Sequence, residues 1–134
     1  MMLVLDNNIF FSLMNPDSAN SYLFSLVNVK FIAPEFLKLE LNKHKTECLI
    51  KSGLSEHEFE MRQKEVEESI EFFKSSEYEK FLDNSLKLIS DPNDIDFLAL
   101  ALFKNCAIWS NEPAFKEQSR INVLSTRDMI ELLG

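Results

Sequence analysis

The sequence predicts an α/β fold of three layers, α/β/α, built on a central and mostly parallel sheet of four to five strands. Three observations carry this reading. Short apolar runs stop abruptly at polar or turn residues, as at Met2–Leu5 before Asp6 and Lys30–Ala33 before Pro34, which is how strands buried on both faces read. Segments of helical spacing alternate with these runs, and strands that alternate with helices pair in parallel through right-handed crossovers. The stretch Phe97-Leu98-Ala99-Leu100-Ala101-Leu102-Phe103 is apolar almost all round, so it must be a helix covered on several sides.

The remaining elements follow in order. Pro34 suits the start of a helix, and Phe36, Leu37, Leu41, His44, Cys48 and Leu49 recur at helical spacing until Ser52 and Gly53 stop it. Ser55 opens the next helix, with Glu58 three residues on as a capping box. That helix either runs into the seventies or gives way to a short strand over Ile70–Phe73, and pattern alone leaves both open. Tyr78, Phe81, Leu82, Leu86 and Ile89 mark another amphipathic helix over Tyr78–Ile89. Asp91, Pro92 and Asp94 fit the N-cap, first and third positions of the apolar helix. Ala107–Trp109 is a third clear strand, Glu112–Gln118 a short helix or loop, Asn122–Leu124 a fourth strand, and Thr126–Leu133 a closing helix.

A chain of 134 residues, 46% hydrophobic, is large enough for one domain over residues 1–134 without disulfides or a structural metal. No uninterrupted apolar stretch approaches the roughly 18–20 residues that cross a bilayer, and no basic region precedes a cleavable apolar segment. A cytoplasmic, membrane-free protein is therefore expected. Cys48 and Cys106 stand far apart, each without a neighbouring cysteine, and read as free thiols. With Gly53 and Gly134 as its only glycines, the chain has no glycine-rich phosphate loop. The net charge of −8, from 22 acidic and 14 basic side chains, opposes any general attraction for phosphates, so a nucleic-acid role must rest on local features. Much of the excess lies between Glu56 and Glu79 and reads as a solvated helix face. Lys38, Lys43, Lys45 and Lys51 form one local basic stretch.

In an open parallel sheet, ligands bind beyond the carboxyl ends of the strands, where strand order reverses. Asp6 ends the first strand, Glu40 lies on the helix after the second, Asp94 is in the first turn of the apolar helix, and Glu112 follows the strand at Trp109. All four can reach one rim. Crowded carboxylates stay ionised together only if a cation compensates them, and hard oxygen ligands suit Mg²⁺ or Mn²⁺. Beside this reading stand plainer ones: Asp91 as a helix cap, Asp96 as a solvated or partner-facing charge, His44 and His57 as surface or packing residues.

These residues resemble the motifs of the PIN-domain family. Leu3-Val4-Leu5-Asp6-Asn7-Asn8-Ile9-Phe10 is similar to the family's opening strand, with its aspartate at Asp6 and an asparagine two positions later at Asn8. Ala33 to Leu41 resembles the second segment, whose helical glutamate corresponds to Glu40. Asp91 to Ala101 resembles the third, with Asp94 as the family acid. Ile108-Trp109-Ser110-Asn111-Glu112 resembles the fourth, a hydroxyl residue followed two positions later by an acid. Two departures stand out: Asn7 replaces a usual threonine or serine, and Glu112 a usual aspartate.

The resemblance implies a PIN-like α/β/α fold and a metal-dependent ribonuclease, often the toxin of a toxin–antitoxin pair and commonly a homodimer. In that reading Asp6 and Asp94 are direct ligands of Mg²⁺ or Mn²⁺, Glu40 is a ligand or holds a coordinated water, and Glu112 binds a second or weaker ion. Asn8 and Ser110 would hydrogen-bond the carboxylates and fix their rotamers. Lys38, Lys43 and Lys45 are the candidates for contacting RNA phosphates. The competing reading is a PIN fold with a weakened site that binds RNA or a protein partner without cutting. A receiver domain would need an acidic pair after the first strand, and a haloacid-type phosphatase an aspartate where Asn8 stands; neither is present.

Overall fold

The computed structural model describes residues 1–133, so Gly134 lies outside the described residues. Five strands form one sheet: β1 (Met2–Leu5), β2 (Lys30–Pro34), β3 (Ile70–Phe73), β4 (Ala107–Trp109) and β5 (Val123–Leu124). Their order is β3-β2-β1-β4-β5, every pairing parallel. The first three strands advance towards one edge, and the chain then returns to place β4 on the other side of β1. The order therefore reverses between β1 and β4, which opens a crevice beyond their carboxyl ends. Leu3, Val4 and Leu5 on the central strand are wholly buried, as both-face coverage requires. The α/β/α fold with a parallel sheet is as the sequence indicates.

Helices fill the connections: α1 (Asn7–Ser12), α2 (Ala19–Leu26), α3 (Phe36–Lys43), α4 (Lys45–Ser52), α5 (Glu56–Glu68), α6 (Ser75–Tyr78), α7 (Leu82–Leu88), α8 (Ile95–Lys104) and α9 (Thr126–Leu133). Helix α8 lies against β1, β2 and β4, with α6 and α7 packed on it. This explains its apolar sequence: Ile95 and Phe97 through Leu102 are all buried, each large side chain contributing about 1.5–3 kcal/mol on burial. It ends at Asn105, whose left-handed backbone (φ 50°) substitutes for the usual glycine. No helix among the described residues is long and apolar enough to cross a membrane.

Four local expectations are corrected or resolved. The helix after Pro34 breaks at His44 (φ −108°, ψ 15°), whose ring packs 5.7 Å from that of Phe11, so Leu37 and Leu41 on α3 and Cys48 on α4 face the core from two directions. Ile70–Phe73 is a strand: Ile70 and Phe73 are buried while Glu71 is exposed, and pairing with β2 satisfies an edge that a longer α5 would leave open. The Tyr78–Ile89 helix divides into α6, a 3₁₀ turn over Glu79–Phe81, and α7. Asp91 is not the cap of α8. Its carboxylate accepts from the Asn93 N–H at 2.9 Å and its carbonyl from the Asp94 N–H at 3.1 Å, closing a turn that delays the helix until Asp94 is the capping position.

Candidate metal centre at the strand-order switch

Asp6 sits where β1 becomes α1. One carboxylate oxygen accepts from the Ile9 N–H at 2.8 Å, capping α1, and the other accepts from the Ser110 hydroxyl. Ser110 directly follows β4 and is buried; its oxygen in turn accepts the Glu112 N–H at 2.9 Å. One hydroxyl thus ties the ends of both central strands together and holds Asp6 in a single rotamer. Asp6 is 4% exposed.

Beyond Asp6 lies a small acidic pocket that Asp94, Asp91 and Glu112 also line, with Asn7, Asn8 and Asn93. The Oδ2 atom of Asp94 and the Oδ1 atom of Asn7 are buried there without any hydrogen-bond partner. An orphaned buried carboxylate oxygen costs about 1–3 kcal/mol or more, and neither of these two acceptors is met by a donor of the protein. Desolvation, then the charges of Asp91, Glu112, Asp6 and Glu117, push the Asp94 pKa up from 3.8 to about 6. Burial also raises the Asp6 pKa; hydrogen bonds from Ser110 and the Ile9 N–H oppose this, and the Glu112 charge adds to it. Burial leads in both cases and neighbouring carboxylate charge adds to it, as for acids crowded into a desolvated pocket.

Glu40 is placed differently from the other three acids. It lines a larger neighbouring cavity and pairs with Lys43 at 3.3 Å. The two voids adjoin along Asn7, Asn8 and Asn93, which line both. No group of three or more His, Cys, Asp or Glu among the described residues is arranged to hold a metal ion. Asn8 lines both voids, and its backbone amide acts on Asp6 to hold its pKa down slightly. Of the basic candidates, Lys43 is engaged by Glu40 and Lys45 by Glu60 at 3.4 Å; Lys38 instead lines the larger cavity and lays its ammonium over the Phe72 ring at 4.4 Å.

Three participants escape sequence reasoning. Asp91 was accounted for as a cap, yet its charge weighs first among those acting on Asp94. Asn7 offers an unmatched oxygen to the pocket. Asp96 is not a solvated charge: it accepts a hydrogen bond of 2.6 Å from the buried Tyr78 hydroxyl. The Asp91-Asp94 separation of three residues, one turn, is the only sequence signal for the first; Asn7 is marked only as a departure from the family's threonine or serine, and nothing in the pattern marks the bond of Asp96 to Tyr78.

The family model of the PIN domain matches residues 4–131. The chain belongs to the PIN-domain family. Among solved structures, VapBC2 from Rickettsia felis bound to a DNA fragment from its promoter is similar in fold. The TM-score is 0.67 at 15% identity, covering 93% of this chain and 98% of that one. No curated protein matches the sequence. PIN domains are generally nucleases, and those nucleases generally use divalent metals.

The residues present fit such an ion. The pocket offers carboxylate and amide oxygens, the hard donors that Mg²⁺ and Mn²⁺ take, and two of them are buried without a partner. Mg²⁺ keeps several waters and uses one or two carboxylates rather than an all-protein cage, so Asp6 and Asp94 are enough donors for it even without a three-acid cluster among the described residues.

Proposed function

We propose that this PIN domain is a Mg²⁺- or Mn²⁺-dependent endoribonuclease that hydrolyses RNA phosphodiester bonds, and that it serves as the toxin of a toxin–antitoxin pair. The observation that carries this is the partnerless Asp94 Oδ2, buried in a pocket shared with Asp6, Asp91 and Glu112 at the strand-order switch. Asp6 and Asp94 would hold the ion directly. Glu112 and Glu40 would act at longer range, Glu40 from the adjoining cavity after leaving Lys43. A bound divalent ion supplies an activated water and neutralises charge on the scissile phosphate.

The chain's own groups account for the rest. Ser110 donates to Asp6 and keeps its second oxygen from rotating away. The Ile9 N–H holds the first. The adjoining cavity is lined by asparagines and serines, by Lys38, Lys51 and Lys74 and by Glu35, Glu40, Glu47 and Asp96; its lysines and amide groups would receive RNA locally, as a chain with a net charge of −8 requires. An antitoxin partner and a homodimer are part of the proposal, the first supported by the likeness to the VapBC2 assembly and the second by the family resemblance alone.

The test is cleavage of a mixed RNA pool with Mn²⁺ or Mg²⁺, comparing the protein with Asp6→Asn. Asparagine caps a helix as well as aspartate does, so the fold is retained. Cleavage that needs the ion and disappears in Asp6→Asn is expected. A wild-type protein that leaves RNA intact with either ion would overturn the reading. The pairing of Glu40 with Lys43, which holds that acid outside the small pocket, favours one alternative, a non-cutting RNA- or protein-binding module. RNA retention without cleavage would select it.

A further inference from the structure

Between Ser110 and Glu112 stands Asn111, a residue the proposed chemistry does not use. Its side chain faces away from the pocket and grips the start of α9 with both polar atoms. The Asn111 Oδ1 accepts the Thr126 N–H at 2.8 Å, and Asn111 Nδ2 donates to Thr126 Oγ1 at 2.9 Å. The Thr126 hydroxyl donates to Asn20 Oδ1 on α2 at 2.7 Å and also accepts from the Trp109 Nε1–H at 3.4 Å. A hydroxyl has one proton and two lone pairs, and here all three are used. Asn20 Nδ2 then donates to Ser12 Oγ at 2.9 Å. Ser12 ends the helix that Asp6 begins, and Ser110 closes the loop back onto Asp6.

The result is a closed circuit of side chains running Asp6, α1, Ser12, Asn20, Thr126, Asn111, Ser110 and back to Asp6. Two of the pocket acids are anchored on it. Glu112 has little freedom once Asn111 is fixed. The N–H of Glu112 is bound to Ser110, and the following Pro113 confines it to the extended backbone it adopts (φ −78°, ψ 119°).

We propose that Asn111 and Thr126 are positioning residues, a clasp by which the C-terminal helix holds the Ser110–Glu112 loop against Asp6 and sets the pocket for its ion. This rests on the metal-site reading above, but the clasp itself can be tested without a metal. Asn111 is exposed, so Asn111→Ala removes the grip without cutting into the core. Thr126→Val removes the saturated hydroxyl and keeps the shape, while Thr126→Ser keeps the hydroxyl.

The experiment has two parts on the full chain. In the metal-free protein, hydrogen exchange at the Glu112 and Met129 amides is followed by NMR for each variant. Separately, Mn²⁺ alone is titrated calorimetrically. Asn111→Ala and Thr126→Val are expected to speed Glu112 exchange at least tenfold and to weaken Mn²⁺ binding about 10- to 100-fold, the usual effect of losing a group behind a metal ligand. Thr126→Ser is expected to restore both. If Asn111→Ala loosens Met129 on α9 while Glu112 exchange and Mn²⁺ affinity stay at wild-type values, the clasp only docks the helix and the proposal is overturned. If the wild-type protein takes no Mn²⁺, the nuclease reading fails on its own, and Glu112 exchange decides the clasp.

Discussion

Replacing Asp94 by Asn should make the metal-free protein more stable near neutral pH, although it removes a residue assigned to the site. The Asp94 pKa is raised from 3.8 to about 6, chiefly by desolvation. Between those values the folded chain binds more protons than the unfolded one, so Asp94's contribution is fully present below 3.8 and is lost as pH rises through about 6. The displacement corresponds to about 3 kcal/mol at about 1.4 kcal/mol per pH unit. Solvent reaching this partly open pocket reduces it to about 1–2 kcal/mol. Asparagine mimics the neutral acid at every pH. In urea titrations with EDTA, followed by the fluorescence of the buried Trp109, Asp94→Asn is expected to exceed wild type by about 1–2 kcal/mol at about pH 7.5. The two should converge towards about pH 4. Saturating Mn²⁺ is expected to reverse the order if the proposed site binds it, adding about 2.7 kcal/mol to wild type at a hundredfold excess over Kd and little to the variant. A variant less stable than wild type in EDTA at neutral pH, or a gap that does not narrow on acidification, refutes the reasoning.

Ser110→Ala deprives Asp6 of its hydroxyl donor and should weaken Mn²⁺ binding about 10- to 100-fold by calorimetry; unchanged affinity removes Ser110 from the site. Tyr78→Phe breaks the 2.6 Å bond to Asp96 beneath the cavity wall and should cost about 1.5–3 kcal/mol in urea unfolding, the range for a hydrogen bond to a charged group. Phe97→Ala, which empties the contacts with Phe36 and Phe115 under the acidic pocket, should cost about 3–5 kcal/mol by the same assay. Lys38→Ala should raise the KM for a short RNA at constant kcat, and an unaltered KM takes Lys38 off the substrate path.

The parts of the molecule legible in the sequence are those where burial is extreme. Leu3–Leu5 and Phe97–Leu102 are covered on nearly every side, so their composition alone reveals a central strand and a central helix. That Asp6 and Glu112 line one pocket was legible because parallel strands deliver whatever follows them to one edge. Helices α1 and α2 carried no such mark: α1 is only six residues long, and α2 mixes Ser21 and Leu23, both buried, with the exposed Tyr22 and Leu26. Ile70 and Phe73 lie three apart, a spacing that serves a helix as well as a strand, and only the waiting edge of β2 decides between them. Glu40 shows the limit for the site: its helix was readable, but no local pattern says that its side chain pairs with Lys43 and lines the larger cavity instead of the small pocket. Asn111 and Thr126 are 15 residues apart, and no local pattern links them.

A crystal soaked in Mn²⁺ and examined by anomalous scattering tests the site most directly. The expected result is an ion bonded to Asp6 and Asp94, with carboxylate oxygens at about 2.1 Å and waters completing the shell. A pocket that stays free of Mn²⁺, or an ion held elsewhere while Asp94 Oδ2 remains without a partner, would contradict it.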